Sequence, residues 1–269
     1  MHLRVIITAS IMTTITLAGC TAPQHHPAFT YDHNAVIRAD RTQPCLALIF
    51  TGGDHGQATN RILDILANHG IRASFFLTGG YLANPAQRSC VARMLAAGHY
   101  VGPHSDAHLL YCAWEDRTHT LVTRREFTTD LRNNIADLRA LGCLAEAGPR
   151  QPDPVYFIPP YEWYNCDQVR WARAMNVRLF NFTPGSGSNR DWIPEGQPGF
   201  VPSAEIIADV LAYERRDPTG LNGFLLLFHL GSQRTDLMDA ELDNLLTELR
   251  NRGYTFARVD DLLGPASKG

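Results

Sequence analysis

Seven short apolar runs alternate with helical stretches along this chain of 269 residues, and this alternation limits the fold more than any other feature. The runs are apolar throughout rather than at every second position, which is typical of parallel strands covered on both faces. Seven or eight strand–helix units usually close into a barrel, and no long break in composition divides them. The sequence therefore predicts a single-domain α/β barrel with strands near 46–50, 73–77, 99–102, 155–158, 177–182, 223–228 and 254–259.

The stretches between the runs have the apolar periodicity and the boundary residues of helices. In a parallel barrel the functional site lies where the strands end and the loops begin, at the carboxyl-terminal rim. Polar residues follow the first, third, fourth and sixth runs, so we expect the site there. Helices are predicted near 85–97, 124–141, 167–175, 203–214 and 239–252, and another precedes Gly70.

Residues 1–19 have the features of an export signal. The uncharged run after Arg4 is too short to span a bilayer, and it ends in small residues before Cys20. A cysteine directly after Leu-Ala-Gly resembles the bacterial lipoprotein box, in which the cysteine is lipidated and becomes the new N-terminus. A plain secretory signal with an incidental cysteine is the alternative. We expect an exported protein, lipid-anchored to the cell envelope through Cys20, with a tether and N-terminal extension over 20–44, a folded domain over 45–263 and a tail over 264–269.

Composition excludes several classes of function. The only lysine is Lys268, so the chain has no P-loop lysine and no Schiff-base lysine, and we expect no nucleotide partner. A formal net charge of −3 leaves no basic patch for nucleic acid. The chain is rich instead in histidine (11) and in Asp plus Glu (27), which suits hydrolysis or metal chemistry.

Five cysteines follow Cys20, and the sequence leaves their pairing open. Some would pair outside the cytoplasm, but five is an odd number and connectivity cannot be deduced from sequence. Buried free thiols are the alternative for several of them. The absence of a Cys-x-x-Cys pair in the sequence argues against a thiolate zinc site. The residues are Cys45, Cys90, Cys112, Cys143 and Cys166.

The segment from His104 to His108 follows the third run and carries two imidazoles one helical turn apart, where both would face one metal ion. Asp54 comes after two glycines at the end of the first run. A carboxylate there would complete a site of two histidines and one carboxylate. Ordinary surface or core histidines, and an aspartate in a tight turn, are the alternatives.

His229 ends the most apolar run, so it is either a satisfied core residue or a proton-transfer group. Asp191 and Trp192 lie in a loop rich in glycine, serine and proline that covers 183–202. This aspartate would orient the His229 imidazole, and the indole of Trp192 would stack on a sugar. A simple loop anchor is the alternative for both residues.

Two prolines stop the fourth run, and an unusual cluster follows them. They fix a loop at the rim that presents the backbone amide of Tyr161, the carboxyl group of Glu162 and the aromatic rings of Trp163 and Tyr164. Rigid aromatic side chains at the end of a strand suit a carbohydrate ligand. A packed loop hinge is the alternative.

Taken in order, these segments resemble the polysaccharide deacetylases of the NodB-homology family, carbohydrate esterase family 4. The family's metal motif, His-Ser/Thr-x-x-His, is matched by His104-Ser105-Asp106-Ala107-His108, and its Leu-x-His motif by Leu227-Phe228-His229. The Arg-x-Pro-Tyr motif is matched in part by Ile158-Pro159-Pro160-Tyr161. The resemblance covers the chain from about Cys45 to Leu263.

The resemblance implies a distorted (β/α)7 barrel that holds one divalent metal ion, commonly zinc. It implies that the general acid is His229, whose pKa Asp191 tunes, and that the backbone amide of Tyr161 helps to hold the oxyanion. The metal ligands that it implies are Asp54, His104 and His108.

The chain departs from the family pattern at two positions. The first family motif carries two consecutive aspartates, of which the first is the general base, but here Gly53 precedes Asp54. The arginine that contacts this base is replaced by Ile158. Losing both partners together is physically consistent, because an arginine left without its carboxylate would be a buried unpaired charge. Glu162, His55 and Asp106 are the candidates for assisting proton removal.

The expected function is metal-dependent removal of acetyl groups from an extracytoplasmic polysaccharide. The substrate would be a glycan that contains N-acetylglucosamine, such as peptidoglycan or a chitin-like chain, or O-acetylated xylan. The alternative is a lipid-anchored glycan-binding protein with a degenerate, inactive site, and the missing base is the reason to consider it.

Overall fold

The computed structural model describes residues 25–145 and 153–264. The predicted export signal, Cys20 and the tail after Gly264 lie outside these ranges. The strands are β1 (Thr30–Asp32), β2 (Ala35–Arg38), β3 (Cys45–Gly52), β4 (Ser74–Leu77), β5 (Tyr100–Pro103), β6 (Val155–Phe157), β7 (Val177–Leu179), β8 (Leu225–His229) and β9 (Thr255–Ala257). The helices are α1 (Thr59–Asn68), α2 (Gly79–Ala83), α3 (Pro85–Ala96), α4 (Arg124–Ala140), α5 (Cys166–Arg173), α6 (Ser203–Arg216), α7 (Asp239–Asn251) and α8 (Val259–Leu262). Within the described ranges, no helix combines the length and the hydropathy needed to cross a bilayer.

β3 is the central strand of a five-stranded sheet. β4 pairs along one side of β3, and β5 pairs with β4. On the other side, β8 pairs with the last part of β3 and β9 with its first part. These ladders are all parallel, so successive strands are joined by crossovers through the helices. The predicted alternation of parallel strands and helices is confirmed.

β6 and β7 form a separate parallel pair. Single hydrogen bonds, rather than continuous ladders, join this pair to the five-stranded sheet and complete the barrel. The hydroxyl oxygen of Tyr100 accepts a hydrogen bond of 2.8 Å from the backbone N–H of Tyr156, which links β5 to β6. The backbone N–H of Thr183 donates to the carbonyl of Leu225 at 2.9 Å, which links the chain after β7 to β8. The barrel is therefore distorted in the way that the resemblance implied.

The continuous apolar character of β3 follows from burial on both faces. Ala47 and Ile49 point into the barrel, where they pack in one cluster with Phe76. Leu48 and Phe50 point outward and pack against the helices. Because neither face meets water, alternation between apolar and polar residues is absent from this strand.

The folded chain begins before the predicted domain start at Cys45. β1 and β2 form an antiparallel hairpin on the barrel, and Val36 pairs with Phe180 beside β7. Arg38 is buried at the end of β2, where it donates hydrogen bonds to the side chains of Asp217 and Thr219. A buried arginine with these partners fixes the hairpin to the loop before β8.

The five cysteines of the described chain are free thiols. Cys90 and Cys112 are buried, whereas Cys166 is exposed and its sulfur accepts a hydrogen bond from Asn34 at 3.4 Å. Of the two alternatives left open by the sequence, the structure has the free thiols.

Candidate active site

The register of the sheet brings the predicted residues to one rim. Gly52 is level with Leu77, and Leu77 with Pro103, so the segments after β3 and β5 leave the sheet at the same height. On the other side of β3, Thr51 is level with His229. Because parallel strands all end at the same edge, the candidate metal ligands and His229 share the carboxyl-terminal rim.

His229 is bound twice by one carboxylate. Asp191 accepts a hydrogen bond of 2.6 Å from the Nδ1 of His229 through Oδ1, and one of 2.8 Å from the backbone N–H of His229 through Oδ2. Asp191 is buried in a short 3-10 helix, Ser188–Trp192, that begins after Gly187, whose φ of 72° suits glycine. This arrangement fixes the Nδ1–H tautomer of the neutral imidazole and leaves Nε2 for another partner.

The same pair sets the pKa of His229. Burial disfavours the charged imidazolium, but the charge of Asp191, its hydrogen bond and the charge of Glu162 outweigh burial, so the pKa of His229 is raised above its ordinary value. A histidine with a raised pKa retains its proton to higher pH than an ordinary imidazole does, which suits proton donation to a leaving group.

A buried arginine holds the loop that carries Asp191. The side chain of Arg234 is fully buried, and its guanidinium donates to the carbonyls of Arg190 (3.4 Å), Ile193 (3.3 Å) and Val201 (2.8 Å). These bonds tie the middle and the C-terminal end of the loop after β7 to the loop after β8. The glycine-rich, proline-rich sequence of 183–202 therefore forms a defined wall beside His229.

The segment His104–His108 is a turn and not a helix, so the expected helical spacing of the two imidazoles is wrong. Ser105 and His108 both have positive φ, 76° and 51°. The hydroxyl of Ser105 accepts from the backbone N–H of His108 at 3.0 Å, which closes the turn. The turn brings the two rings together nevertheless, with their centroids 5.1 Å apart.

Two buried residues of α4 hold this turn. Asp130 accepts hydrogen bonds from the Ser105 hydroxyl (2.6 Å) and from the backbone N–H groups of Asp106 (3.2 Å) and Ala107 (2.7 Å). Asn134, one helical turn later, accepts from the backbone N–H of His104 at 3.0 Å. These hydrogen bonds from α4 hold the turn in which Ser105 and His108 adopt positive φ.

Both imidazoles are neutral at pH 7, as metal ligands must be. Burial and the nearby His108 lower the pKa of His104 well below its ordinary value, and burial together with His229 lowers the pKa of His108 to about 4. The Nδ1 of His104 donates to the carbonyl of Ile158 at 2.9 Å, so its Nε2 carries the lone pair. A backbone carbonyl on the second nitrogen is a frequent partner of metal-binding histidines.

Asp54 interacts with His108 of this pair through its charge but does not contact it. The carboxylate is exposed, and its charge partly opposes the lowering of the His108 pKa by burial. Its Oδ1 lies beside Gly80, 3.0 Å from where a Cβ on that residue would be. Among residues 25–145 and 153–264, no group of three or more His, Cys, Asp or Glu side chains is close enough to hold an ion together. The donor chemistry of the histidine pair fits a divalent metal, and the nearby carboxylate is available as a third ligand.

Tyr161 and Glu162 sit in consecutive left-handed conformations, with φ of 58° and 52°. Such conformations cost on the order of 1 kcal/mol or more for each non-glycine residue and often occur at functional sites. The side-chain amide of Asn181 donates to the carbonyl of Glu162 at 2.8 Å and holds the loop. Burial raises the pKa of Glu162 to about 7, against the opposing charge of His229. The structure thus places a carboxyl group that titrates near neutral pH beside the His229–Asp191 pair.

The predicted aromatic contacts divide into two groups. Tyr164 is fully buried, its hydroxyl donates to the carbonyl of Asp32 at 3.1 Å, and its predicted contact with a substrate is therefore wrong. Its ring belongs to the cluster that packs α4 and α5 against β6 and β7, because the chain has turned inward by this point. Trp163 is partly exposed, and Trp192 and Tyr161 are 52% and 45% exposed, so these side chains are accessible at the rim.

Comparison with known proteins decides the family. The sequence matches the family described as polysaccharide deacetylase over residues 38–180, more than half of the chain. The chain belongs to the polysaccharide deacetylase family. Among curated relatives, the peptidoglycan-N-acetylmuramic acid deacetylase PdaA of Bacillus subtilis is 24% identical over 232 residues, which cover 86% of this chain and 76% of that protein. The family and the hydrolase class inferred from the sequence motifs are confirmed.

Solved structures of family 4 carbohydrate esterases have the same fold. The structure of Bacillus subtilis PdaA matches with a TM-score of 0.65 at 20% identity and covers 86% of this chain and 85% of that one. A Bacillus anthracis protein described as a family 4 pseudoenzyme gives 0.63 at 18%, covering 87% and 70%. An acetyl xylan esterase from Clostridium thermocellum, in complex with a cobalt ion, gives 0.60 at 22%, covering 81% and 90%. The predicted fold class, a distorted (β/α)7 barrel, is confirmed.

This polysaccharide deacetylase family member has open space where the usual base is missing. A Cβ built on Gly53 would meet no heavy atom within 4 Å. Ile158 is fully buried in the cluster that fills the barrel, and only its carbonyl takes part in the site. The position of the family's arginine has thus become part of the core.

Sequence reasoning missed two residues that contact the candidate site in this deacetylase fold, Asp130 and Trp114. Asp130 and Asn134 fall on the same stripe of α4 as Phe127 and Leu131, and polar residues on an apolar stripe were the available signal. Trp114 lies in the loop after β5 with 53% of its surface exposed. Its neighbours in sequence gave no sign that its ring would lie beside Tyr161.

Proposed function

We propose that this protein is a metal-dependent deacetylase that removes acetyl groups from an extracytoplasmic polysaccharide. The observation that carries the proposal is the meeting of two pairs at one rim. The neutral pair His104 and His108 lies within electrostatic reach of His229, which is paired with Asp191. One pair suits metal binding and the other proton transfer, as hydrolysis of an acetyl group requires.

In this proposal Asp54, His104 and His108 hold one divalent metal ion, zinc. When bound, the ion polarises the acetyl carbonyl and lowers the pKa of water at the site toward about 7. The support from this chain is the donor set: two neutral imidazoles, one of them oriented by the Ile158 carbonyl, and the Asp54 carboxylate, whose charge acts on His108. The cobalt ion in the related acetyl xylan esterase supports metal binding by this fold.

The remaining groups act on the substrate and on protons. The Nε2 of His229 donates a proton to the leaving amine or alkoxide, and Asp191 stabilises the imidazolium and keeps its orientation. The backbone N–H of Tyr161 donates to the oxyanion that develops on the acetyl carbonyl. Tyr161 is held for this by the two prolines that precede it and by the hydrogen bond from Asn181 to the carbonyl of Glu162.

Glu162 is the proposed proton acceptor in place of the missing carboxylate at position 53. Its carboxyl group interacts with the charges of His229 and Asp191, and burial brings its pKa to about 7. A base of this strength accepts a proton from water near neutral pH and releases it again in the same cycle. His55 is exposed on the loop after β3, and Asp106 accepts a hydrogen bond from Asn133 at 3.5 Å. Glu162 is preferred because its charge interacts with those of His229 and Asp191.

The proposed substrate is the glycan of the cell envelope. Relatives are described as deacetylases of peptidoglycan and as an acetyl xylan esterase, which supports a polymer that carries N-acetyl or O-acetyl groups. An export signal over 1–19 and lipidation at Cys20 would place the enzyme at this glycan, tethered to the membrane. The exposed rings of Tyr161 and Trp192, and the partly exposed ring of Trp163, would contact its sugars.

A second candidate function is glycan binding without turnover, by a lipid-anchored protein with a degenerate site. Gly53 and Ile158 favour it, because both members of the usual base–arginine pair are missing. The fold is also similar to that of a protein described as a family 4 pseudoenzyme. Acetate release separates the two functions, since only the enzyme produces it.

The test is acetate release from acetylated chito-oligosaccharides, peptidoglycan fragments and acetylated xylan by the purified protein. We expect release that chelation abolishes and zinc restores, and one zinc ion bound per chain in calorimetry. His104→Ala should lose zinc and activity together. His69→Ala is the matched control. His69 lies at the C-terminal end of α1, away from the rim, and its imidazole pairs with Asp243 of α7. Activity that survives thorough chelation would contradict the proposal.

A further inference from the structure

A row of aromatic side chains extends from the histidine pair across the rim. The ring centroid of Tyr161 lies 4.5 Å from that of His108, and the ring of Trp114 meets Tyr161 edge-on at 5.7 Å. Trp163 stacks on Trp114, with 5.7 Å between centroids and 29° between the ring planes. The row thus begins at a proposed metal ligand and ends on two indoles.

The row is held from below. The indole N–H of Trp163 donates to the carbonyl of Ala113 at 3.1 Å, which ties the loop after β6 to the loop after β5. The guanidinium of Arg117 lies 4.5 Å from the centroid of the Trp163 ring and forms an ion pair of 2.8 Å with Asp32. Trp114 rests on a surface that is already ordered, so a ligand that binds to it immobilises few side chains.

Exposure by itself says little, since single exposed apolar side chains are common on protein surfaces. Trp114 differs because it is 53% exposed and also continuous with the proposed site through Tyr161. A second indole, Trp192, is 52% exposed directly after Asp191. Tryptophan in such a position offers a large flat apolar face beside polar groups, which is typical of ligand contacts.

The surroundings of Trp114 favour a neutral ligand. Glu115 and Asp116 follow it in the chain, and both are exposed carboxylates. Arg117, the nearest cation in sequence, is engaged with Asp32. Carboxylates accept hydrogen bonds from sugar hydroxyl groups and repel an acidic sugar, so the charge around the indole suits an uncharged pyranose.

We propose that Trp114 is a binding subsite for a neutral pyranose ring of the glycan chain, next to the sugar that carries the acetyl group. The apolar face of the ring stacks on the exposed indole, and the neighbouring carboxylates accept hydrogen bonds from its hydroxyl groups. With this subsite the protein binds oligosaccharide chains more tightly than single sugars. The inference rests on the proposed function for the glycan class, but binding can be measured without turnover.

The experiment measures binding of chitopentaose and of xylopentaose by isothermal titration calorimetry to the full chain without its signal, freed of metal. The two probes separate an N-acetylglucosamine chain from a xylose chain, and N-acetylglucosamine monomer is the short reference. Trp114→Ala should weaken binding of the preferred pentamer by about tenfold or more, the usual loss on truncating an aromatic anchor. Trp114→Phe should recover most of this loss, because it restores a flat ring.

Leu121→Ala is the matched control. Leu121 is 48% exposed in the same loop, and its backbone N–H bonds to the carbonyl of Tyr111, so the substitution removes an exposed apolar side chain without touching the aromatic row. We expect it to bind the pentamer as the wild type does. In turnover, Trp114→Ala should reduce kcat/KM for the pentamer more than for p-nitrophenyl acetate, chiefly through KM.

Equal affinity of the wild type and Trp114→Ala for the pentamer overturns the subsite, and so does the absence of binding of both pentamers by the wild type. A Trp114-dependent binding signal in a protein that releases no acetate keeps the subsite and contradicts the deacetylase function instead. If the protein releases acetate but Trp114→Ala binds the pentamer as the wild type does, the deacetylase function stands and the subsite is contradicted.

Discussion

Asp191 accepts hydrogen bonds from both the side chain and the backbone of His229: from the imidazole Nδ1 at 2.6 Å and from the backbone N–H at 2.8 Å. One carboxylate thus fixes the tautomer, the ring orientation and the backbone at the end of β8. Because the partner is buried and negatively charged, it also keeps a proton on an imidazole that burial alone would discharge.

Asp191→Asn should lower the pKa of His229, because the charge that opposes burial is removed. Because the pKa of His229 is raised in the folded state, protonation of His229 stabilises the fold below the ordinary histidine pKa of about 6.5. This stabilisation disappears as pH rises through the folded pKa. The variant should lack this part of the pH dependence of stability. The imidazole pKa is measured by NMR titration of the histidine ring protons. An unchanged His229 pKa would contradict the proposed electrostatic role.

The same variant should reduce acetate release by about 100-fold or more, the usual range for loss of general acid–base catalysis. The high-pH limb of kcat/KM should move to lower pH, since the acid loses its proton earlier. Asp209→Asn is the control, because Asp209 pairs with Arg190 one position before Asp191 and does not contact His229. Loss of activity in both variants would point to a disturbed loop rather than to the proton donor.

Asp130→Ala should weaken zinc binding by about tenfold or more, as loss of a residue that orients metal ligands does. The substitution leaves the Ser105 hydroxyl and two backbone N–H groups of the His104–His108 turn without their acceptor. Zinc affinity is measured by calorimetry, alongside unfolding in urea to separate the local effect from global stability. Asp137→Ala, on the exposed face of the same helix, should bind zinc like the wild type.

Glu162→Gln tests the proton acceptor. We expect acetate release to fall by about 100-fold while zinc and glycan binding persist, because the amide cannot accept a proton as a carboxylate does. Gly53→Asp in the Glu162→Gln background should recover part of the activity, since the open space at position 53 admits a side chain. If Glu162→Gln retains full activity, the base lies elsewhere.

Asp217→Asn should lower the free energy of unfolding by about 2–3 kcal/mol at pH 7, because it leaves the buried Arg38 without its charged partner. Arg38 and Thr219 outweigh burial and lower the pKa of Asp217, so the wild-type pair stabilises the fold above the unfolded pKa of about 3.9. The difference between the two proteins should therefore shrink as pH falls below about 4. Urea unfolding at pH 7 and pH 3.5 measures it.

Asp243→Asn is the comparison for that measurement. This carboxylate pairs with His69 but is 63% exposed, so we expect a loss of less than about 0.5 kcal/mol. A comparable loss in both variants would mean that burial of the Arg38 pair contributes nothing.

The histidine pair shows how far spacing alone can be taken. A separation of four residues predicts neighbouring side chains on a helix, and the rings are neighbours, but a turn with two positive-φ residues brings them together. The support for that turn comes from Asp130, 22 positions after His108 in the sequence. Contacts between distant segments have no periodic signal, so the sequence did not indicate them.

The aromatic cluster after β6 illustrates the same limit. Trp163 and Tyr164 are adjacent in sequence, yet one lies at the rim and the other is buried against Asp32. Trp114, a residue without any motif, contacts Tyr161 at the proposed site. Burial of an individual side chain depends on which neighbour covers it.

The amino-acid sequence by itself determined the succession of parallel strands and helices and the family, and it supplied the candidate site residues, because apolar periodicity and motif residues are local properties of the chain. Tertiary structure alone decided that the hairpin before Cys45 belongs to the barrel, that α4 supports the histidine turn and that Trp114 faces the rim. These features depend on contacts between segments far apart in sequence, where packing and buried hydrogen bonds select one arrangement.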